Sequence, residues 1–260
     1  MTALRIGIAG WTVPKEFAHL FPTEGSHLER TAQSFSCLEI NSSFHRPHRP
    51  RTWARWAAST PEHFRFAVKV PKTITHTAKL INTGALWLEF LAQVRELGEK
   101  LGPLLVQLPP KLAFDEGIAH EFFTTLRELH TGSVVLEPRH TSWFAPAVDR
   151  MLRGFEVARV AADPPKGSPL AAQPGGWQAL RYWRLHGAPR TYYSPYPASF
   201  LQRFAAEITE PSRAQQSWVI FDNTAIGHAA DNALQLQTLL QQTHASSTAS
   251  AKKRTRSHRA

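Results

Sequence analysis

The sequence has a single cysteine, Cys37, among its 260 residues, and it has no long apolar run. One cysteine can form neither an intramolecular disulfide nor a multi-cysteine zinc site, so we expect a reducing, cytoplasmic location. No apolar stretch approaches the roughly 18 residues that a membrane-spanning helix needs, so we expect no membrane partner. Packing alone must hold the core together.

Several sequence motifs typical of cofactor-binding and catalytic sites are also missing. Gly7 and Gly10 lack the spacing of a phosphate-binding glycine loop. The sequence contains neither a Gly-x-Ser-x-Gly elbow nor the His-Glu-x-x-His pattern of zinc enzymes. These absences argue against a dinucleotide cofactor and a serine hydrolase, and we predict no cofactor.

Positive charge is concentrated near the end of the chain. The formal net charge is +10, and the lysines and arginines of residues 244–260 contribute half of it. They follow a Ser/Thr/Ala-rich stretch with no pattern able to build a core. We therefore predict a barrel domain over residues 1–243 and a disordered basic tail over residues 244–260. The tail would either contact phosphates without sequence preference or serve only solubility.

Short apolar segments recur along the chain, each rich in Val, Ile, Leu or Phe and each ending near Gly, Pro or Asn, as buried strands do. Most intervening segments carry apolar residues three and four apart, which indicates helices with one buried face. This alternation predicts an α/β fold, a single (β/α)8 barrel of the TIM type. The predicted strands are residues 5–9, 37–41, 65–70, 104–108, 133–137, 157–161, 181–186 and 218–222.

The unit after the sixth predicted strand differs from the others. Between Asp163 and Ala179 the chain contains four prolines and three glycines, residue types that break helices. We therefore predict seven outer helices, with a long loop in place of the helix between strands six and seven.

Polar side chains occupy one face of several predicted strands near their C-terminal ends. Residues two apart in a strand share a face, so Leu38 and Ile40 oppose Glu39 and Asn41. The apolar faces would pack beneath the helices, and the polar faces would line the C-terminal mouth, where barrel enzymes place their active sites. The candidate site residues are Trp11, Glu39, Asn41, Lys69, His76, Gln107, Glu137, Arg139, Trp143, Asp163, Arg184, His186, Asp222 and Asn223.

Chemical roles follow from residue type. Lys69, Arg139 and Arg184 would form a clamp for a phosphate or carboxylate group. His186 titrates near neutrality, so it is our candidate general acid or base, with Glu137 or Glu39 assisting proton transfer. The other candidates would contact the substrate. His76 has the alternative of capping a helix.

Two other interpretations of the same residues stay open. The carboxylates and cations are nearly balanced, so they could form a structural network without catalysis. The carboxylates and His186 are also metal-ligand types, but three cations in the same mouth would repel a divalent ion. We predict no metal site.

Several short motifs recur in order along nearly the whole of the predicted barrel: 7–11 (GIAGW), 39–44 (EINSSF), 64–69 (FRFAVK), 75–76 (TH), 105–110 (LVQLPP), 136–140 (LEPRH), 142–144 (SWF), 184–187 (RLHG), 221–223 (FDN) and 232–233 (NA). In these residues the chain resembles the YecE-like family, also called domain of unknown function 72. The resemblance implies a TIM-type barrel and leaves the reaction open.

Three functional hypotheses follow. The first is a protein that binds a phosphate-bearing ligand, with nucleic acid among the candidates, at the C-terminal mouth and hydrolyses a phosphodiester bond there. The second is a non-catalytic barrel that binds nucleic acid. The third is an isomerase or lyase acting on a small sugar, which would leave the basic tail unexplained.

Overall fold

The computed structural model describes the backbone of residues 3–257 and the side chains of residues 3–243. Strands and helices alternate along this part of the chain. The strands are β1 (Ala3–Ala9), β2 (Cys37–Ile40), β3 (Arg65–Lys69), β4 (Leu101–Gln107), β5 (Val134–Glu137), β6 (Val157–Arg159), β7 (Ala161–Asp163), β8 (Gly175–Gly176), β9 (Leu180–Leu185) and β10 (Gln216–Phe221). The α-helices are α1 (His27–Ser34), α2 (Pro50–Ala58), α3 (Gly84–Val94), α4 (Glu116–Leu129), α5 (Pro146–Gly154), α6 (Ala198–Thr209) and α7 (His228–Ser257). Shorter 3-10 helices span Lys15–Leu20, Ser42–Phe44, Arg95–Lys100, Thr141–Phe144 and Pro169–Ala172, and a π-helical turn spans Thr73–Thr77.

The strands form one nearly closed, barrel-shaped sheet. Its order is β7-β9-β10-β1-β2-β3-β4-β5-β6-β8, and the neighbouring strands pair in parallel except β6 with β8. Val160 alone separates β6 from β7, so the two form one strand that pairs with β5 on one side and β9 on the other. The predicted (β/α)8 barrel is confirmed, and each predicted strand coincides with an observed one to within a few residues.

The predicted break in the outer layer is confirmed as well. All residues between Asp163 and Leu180 are described, and they form a 3-10 helix and the two-residue strand β8 where a helix would otherwise stand. Elsewhere the helices begin at conventional signals. Ser26 and Glu29 form a capping box at the start of α1. Pro50 and Pro146 open α2 and α5, where a missing N–H costs nothing.

Two hydrophobic clusters show how each strand divides its side chains. The larger cluster, which includes Leu38, Ile40 and Val68, joins the strands to the surrounding helices. The smaller cluster takes the alternate residues of the strands and fills the barrel interior. Gly7 lets β1 approach β2, because a Cβ there would lie 1.9 Å from the Cys37 carbonyl oxygen. The interior cluster comprises Ala9, Cys37, Ala67, Leu105, Val135, Ala158, Val160, Leu180, Tyr182, Trp218 and Ile220.

The end of the chain lies partly outside this description. Helix α7 runs to Ser257, and the side chains of the predicted basic tail, residues 244–260, are outside the described residues. Within the described part, none of the helices combines the length and the apolar character needed to cross a bilayer.

Candidate functional site

The polar residues at the mouth continue the interior face of the strands. Counting by two from Cys37, Ala67, Leu105 and Val135 leads to Glu39, Lys69, Gln107 and Glu137. The same count leads from Tyr182 to Arg184 and from Ile220 to Asp222. Because neighbouring parallel strands end at the same edge of the barrel, six side chains from different parts of the sequence meet there.

Arg184 lies at the centre of these groups and is 1% exposed. Its Nε donates to Glu39 Oε2 at 3.0 Å, and its Nη2 donates to Glu39 Oε1 at 2.7 Å and to Asp222 Oδ2 at 2.8 Å. Its Nη1 donates to Glu137 Oε2 at 2.7 Å. One guanidinium therefore pairs with three buried carboxylates through four of its five N–H donors, and the fifth, on Nη1, lies at a long distance of 3.5 Å from His186 Nε2.

Each carboxylate has a further partner. The Tyr182 hydroxyl donates to Glu39 Oε2 at 2.8 Å. Glu137 Oε1 accepts from Gln107 at 2.9 Å and from both Nε and Nη2 of Arg139 at 3.0 Å. Such hydrogen bonds offset the cost of burying charge, so the carboxylates can stay ionised without contact with water.

The pKa values reflect this pairing. Burial favours the protonated form of Glu137, but Arg184, Arg139 and His186 outweigh it and hold the pKa of Glu137 far below its ordinary value. The pKa of Asp222 is lowered against the effect of burial by Arg184 and His186. Both groups are therefore fixed negative charges near neutral pH. A carboxylate of such low pKa is a weak general base.

Lys69 is in a different situation. Its half-buried ammonium lies 4.1 Å from the centre of the Phe44 ring. Among the side chains that the structure describes, none places a carboxylate oxygen within 4.0 Å of it or accepts a hydrogen bond from it. Burial, followed by the charge of Arg184, lowers the pKa of Lys69 to about 8, although Glu39, Glu137 and Asp222 oppose the shift.

Two more basic side chains lie on the same side of the network as Lys69. Arg139 keeps its side chain 20% exposed, and its Nη1 makes no hydrogen bond to any described residue. The His76 ring packs edge-on against Phe44 at 4.9 Å between centroids. Burial lowers the pKa of His76, and the charges of Lys69 and Arg139 lower it further, which favours the neutral ring near pH 7. Lys69 and Arg139 are thus the cations on the outer side of the network, and His76 lies within reach of their charges.

His186 is held in one orientation. Its Nδ1 lies 3.0 Å from Asp222 Oδ2, and its Nε2 lies 3.5 Å from Arg184 Nη1 and 3.9 Å from Glu137 Oε1. Because the ionised Asp222 carboxylate can only accept, Nδ1 carries a proton and donates it to Asp222 Oδ2. Tyr192, whose φ is +71°, covers the ring edge-on at 5.7 Å. His186 is thus oriented like a catalytic base but is 2% exposed.

Several candidate residues lie elsewhere than expected. Asp163 is two residues from Ala161, so both side chains lie on the face of the strand that packs against the helices. The Oδ1 of Asp163 accepts a hydrogen bond from the Tyr196 hydroxyl at 2.8 Å. It is therefore outside the network, because the interior positions of this strand are Ala158 and Val160. Asn223 is fully buried and donates to Ser194 O and Asn232 Oδ1, which holds the loop after β9.

The remaining candidates differ in exposure. Trp143 is 2% exposed and donates to Leu112 O at 2.9 Å, so it packs below the rim. Trp11 lines a cavity of about 580 Å³ between the loops that follow β1 and β10. Asn41 is half-buried, and its Oδ1 has no hydrogen-bond partner among the described residues.

Sequence reasoning missed Tyr182, although a signal was present. Tyr182 precedes Arg184 by two residues, so the same parity argument points its hydroxyl into the barrel. As for metals, no group of three or more His, Cys, Asp and Glu side chains in the described residues is arranged to hold an ion. The carboxylates and His186 are instead paired around Arg184.

Comparison with known proteins gives a consistent result. The model of a family described as "Protein of unknown function DUF72" matches residues 5–256. The UPF0759 protein YecE of one Escherichia coli strain is 32% identical over 165 residues, 61% of this chain and 58% of the relative. In a second strain the match is 32% over 142 residues, 54% of this chain and 50% of the relative. The matched part is thus about half of these curated relatives.

Solved structures support the fold. A DUF72 family protein from Enterococcus faecalis has a TM-score of 0.76 at 22% identity, covering 92% of this chain and 95% of its own. One from Thermotoga maritima has a TM-score of 0.76 at 24% identity, covering 92% and 99%. These identities inform the fold alone. Since the family model spans nearly the whole described chain, the protein belongs to the DUF72 family.

Proposed function

We propose that the C-terminal mouth binds a phosphate-bearing ligand through Lys69 and Arg139. The observation that carries the proposal is the half-buried Lys69 ammonium, which has no carboxylate within 4.0 Å among the described side chains. Burying a cation without a counter-ion is costly, and a bound anion would offset that cost. Arg139 Nη1 is available on the same side of the network, since the charges of both Lys69 and Arg139 act on His76, and Arg139 remains partly exposed.

This proposal narrows the three-cation clamp expected from the sequence. Arg184 donates to Glu39, Glu137 and Asp222, so it supplies the counter-charge of the carboxylates and leaves ligand binding to the outer cations. A phosphate group suits Lys69 and Arg139 well, because its oxygens accept several charge-assisted hydrogen bonds. His76 stands close enough to both for their charges to lower its pKa, so it would also sense the anion.

A hydrolytic step at the same place would depend on His186. Asp222 orients the ring through Nδ1, and Nε2 makes only a long contact of 3.5 Å with Arg184. Nε2 would take a proton from a water molecule as that water attacks the phosphorus atom. The same proton would then pass to the leaving alcohol as its P–O bond breaks. Tyr192 would have to move to admit the substrate.

Nucleic acid is the form of ligand that the loop after β9 favours. Tyr192 and Tyr193 are exposed there at 41% and 39%. Arg190 lies 3.9 Å from the centre of the Tyr193 ring. Exposed aromatic rings beside cations are the surfaces on which unpaired bases stack.

The binding proposal is tested by calorimetric titration with bis(4-nitrophenyl) phosphate and with a short single-stranded oligonucleotide. We expect Lys69→Met and Arg139→Met each to weaken binding by about tenfold or more, since a hydrogen bond to a charged group contributes roughly 1.5–3 kcal/mol. Lys72→Met is the matched control, because Lys72 is exposed and three residues from Lys69. Equal affinity in wild type and both mouth variants would refute the proposal.

The catalytic step has its own test. We expect wild-type protein to release 4-nitrophenol from the diester and His186→Gln to lose that turnover while binding the diester with unchanged affinity. Turnover that survives in His186→Gln would exclude His186 as the base. Binding without any wild-type turnover would remove the hydrolytic step and leave the anion site intact.

A further inference from the structure

A second cavity lies at the opposite end of the barrel, beside the unit that lacks an outer helix. Leu180 and Arg181, which begin β9, and Arg213, which precedes β10, place it at the N-terminal end of the strands. Helix α5 and strand β8 form its other walls. Its volume is about 700 Å³, within the roughly 300–1,000 Å³ typical of small-molecule sites. The barrel thus has room for a ligand at the end opposite the C-terminal mouth.

The lining of this cavity is strongly cationic. Asp149 is the one acidic residue among the described residues that line it, and both Asp149 carboxylate oxygens are already engaged. Oδ2 pairs with Arg153 at 3.1 Å, and Oδ1 accepts from the Gly176 N–H at 2.8 Å and lies 3.7 Å from Arg159. The arginines in the lining are Arg150, Arg153, Arg159, Arg181 and Arg213.

Two of these arginines donate their short hydrogen bonds to neutral partners, although Arg159 also lies near Asp149. Arg159 donates to Leu170 O at 2.8 Å, and Arg181 donates to Ser217 Oγ at 3.0 Å and to Ile208 O at 2.9 Å. Such bonds orient a guanidinium without neutralising its charge. Burial lowers the pKa of both arginines, and this is only partly opposed by Asp149 for Arg159 and by Glu207 on α6 and Glu210 just after it for Arg181.

Arg150 and Arg213 are exposed, and neither side chain makes a hydrogen bond or an ion pair with any described residue. They can therefore turn toward a ligand without breaking an existing contact. Together with the oriented Arg159 and Arg181, they leave the cavity with an excess of positive charge that protein groups do not compensate.

Two glycines of β8 allow its backbone to approach β6 and the Arg159 side chain closely. Gly175 pairs with Arg159 in the antiparallel β6–β8 ladder, and a Cβ at Gly175 would lie 2.2 Å from Arg159 Nη2. Gly176 has a φ of +65°, and a Cβ there would lie 2.5 Å from Val157 O. The segment that replaces the missing helix is therefore fitted to Arg159, so this wall of the cavity exists before any ligand binds.

One aromatic ring completes the lining. Trp177 is half-buried and packs against the interior cluster of the barrel. Its backbone N–H donates to Val157 O at 2.9 Å. We propose that this cavity binds a nucleotide, with a planar base against Trp177 and two or three phosphate groups among the arginines. The ring matches the indole surface, and the phosphate charge matches the uncompensated guanidinium groups.

The test is calorimetric titration of the full chain with ADP, with pyrophosphate and with adenosine. We expect Arg150→Ala/Arg213→Ala to weaken ADP and pyrophosphate binding by about tenfold or more, because exposed cations with no protein partner are removed. The matched control is Arg51→Ala/Arg55→Ala, which removes the same charge from exposed positions on α2. Equal losses in both double variants, or no loss in the first, would overturn the proposal.

The base-binding part is tested separately with Trp177→Leu. We expect this variant to weaken ADP binding while pyrophosphate binding stays unchanged; equal losses for both ligands would exclude stacking on Trp177. Lys69→Met should leave ADP binding at wild-type affinity, because Lys69 lies at the other end of the barrel. A loss in Lys69→Met with none in Arg150→Ala/Arg213→Ala would place ADP at the mouth and overturn the second site.

Discussion

Replacing Arg184 with methionine should destabilise the protein severely, because it leaves a buried carboxylate without a cation. After the substitution Glu137 still contacts Arg139, and Asp222 still contacts His186. Glu39 is fully buried and keeps only the Tyr182 hydroxyl. Removing one partner of a buried ion pair costs about 3–5 kcal/mol, so we expect Arg184→Met to lose about that much from Glu39 alone. This is a large part of the roughly 5–15 kcal/mol by which domains are stable.

This variant should acquire a pH dependence of stability that the buried carboxylates do not produce in the wild type between pH 8 and pH 5. In the wild type the folded-state pKa values of Glu137 and Asp222 are lowered. Their contribution to stability is therefore present above the ordinary carboxyl pKa of roughly 4 and is lost as the pH falls below it. In Arg184→Met, burial without a cation should raise the pKa of Glu39, so the folded state binds the extra proton. The variant should become more stable as the pH falls from about 8 to about 5.

Urea unfolding at pH 8 and pH 5 measures both effects. Arg139→Met is the matched control, because it removes a guanidinium from Glu137 alone, and Glu137 keeps Arg184 and Gln107. It should lose less free energy of unfolding and keep the wild-type pH dependence between pH 8 and pH 5. Adding Glu39→Gln to Arg184→Met should abolish the gain in stability at pH 5. A loss below about 1 kcal/mol at pH 8, or a loss in Arg184→Met that is no smaller at pH 5 than at pH 8, would refute the reasoning.

Three further predictions use ordinary assays. Because the pKa of Lys69 is lowered to about 8, the rate of its trinitrophenylation by trinitrobenzenesulfonate should rise with a midpoint near that pH in the folded protein, whereas in urea-unfolded protein it should rise near the ordinary lysine value of roughly 10.4; identical pH profiles in peptide mass analysis would contradict this. Burial raises the pKa of the Cys37 thiol, so Ellman's reagent should react with it only as fast as the protein unfolds, and rapid labelling of folded protein would show the thiol is accessible. Gly7→Ala should cost about 3 kcal/mol or more in urea unfolding, because its Cβ would overlap the Cys37 carbonyl, whereas Gly154→Ala, where a Cβ meets nothing within 4 Å, should be nearly neutral.

The sequence predicts the barrel and its interior face because both depend on local periodicity. Alternation along single strands was enough to place Glu39, Lys69, Gln107, Glu137 and Asp222 on the inward side. Alternation does not place Asp163 correctly, and the reason is physical. Val157, Val160 and Ala161 are buried on both faces of their strand, so polarity does not mark which face is inside.

The pairing within the site could not be predicted from local patterns. Glu39 and Arg184 are 145 residues apart in the chain, and their contact depends on the positions of β2 and β9 around the barrel. Parity shows that both side chains point inward, but it does not show which cation reaches which carboxylate. For this reason the sequence suggested that Arg184 binds a ligand, whereas its donors are occupied by protein carboxylates.

The structural network and a functional site are compatible explanations of the mouth. In number, the charges balance: Lys69, Arg139 and Arg184 stand against Glu39, Glu137 and Asp222. The positive and negative charges are nevertheless separated in space. Arg184, which is buried, pairs with all three carboxylates, while Arg139 and Lys69 lie nearer to solvent. The field at the opening is therefore positive although the net charge is zero. The network that neutralises the interior is what leaves two cations available for an anionic ligand.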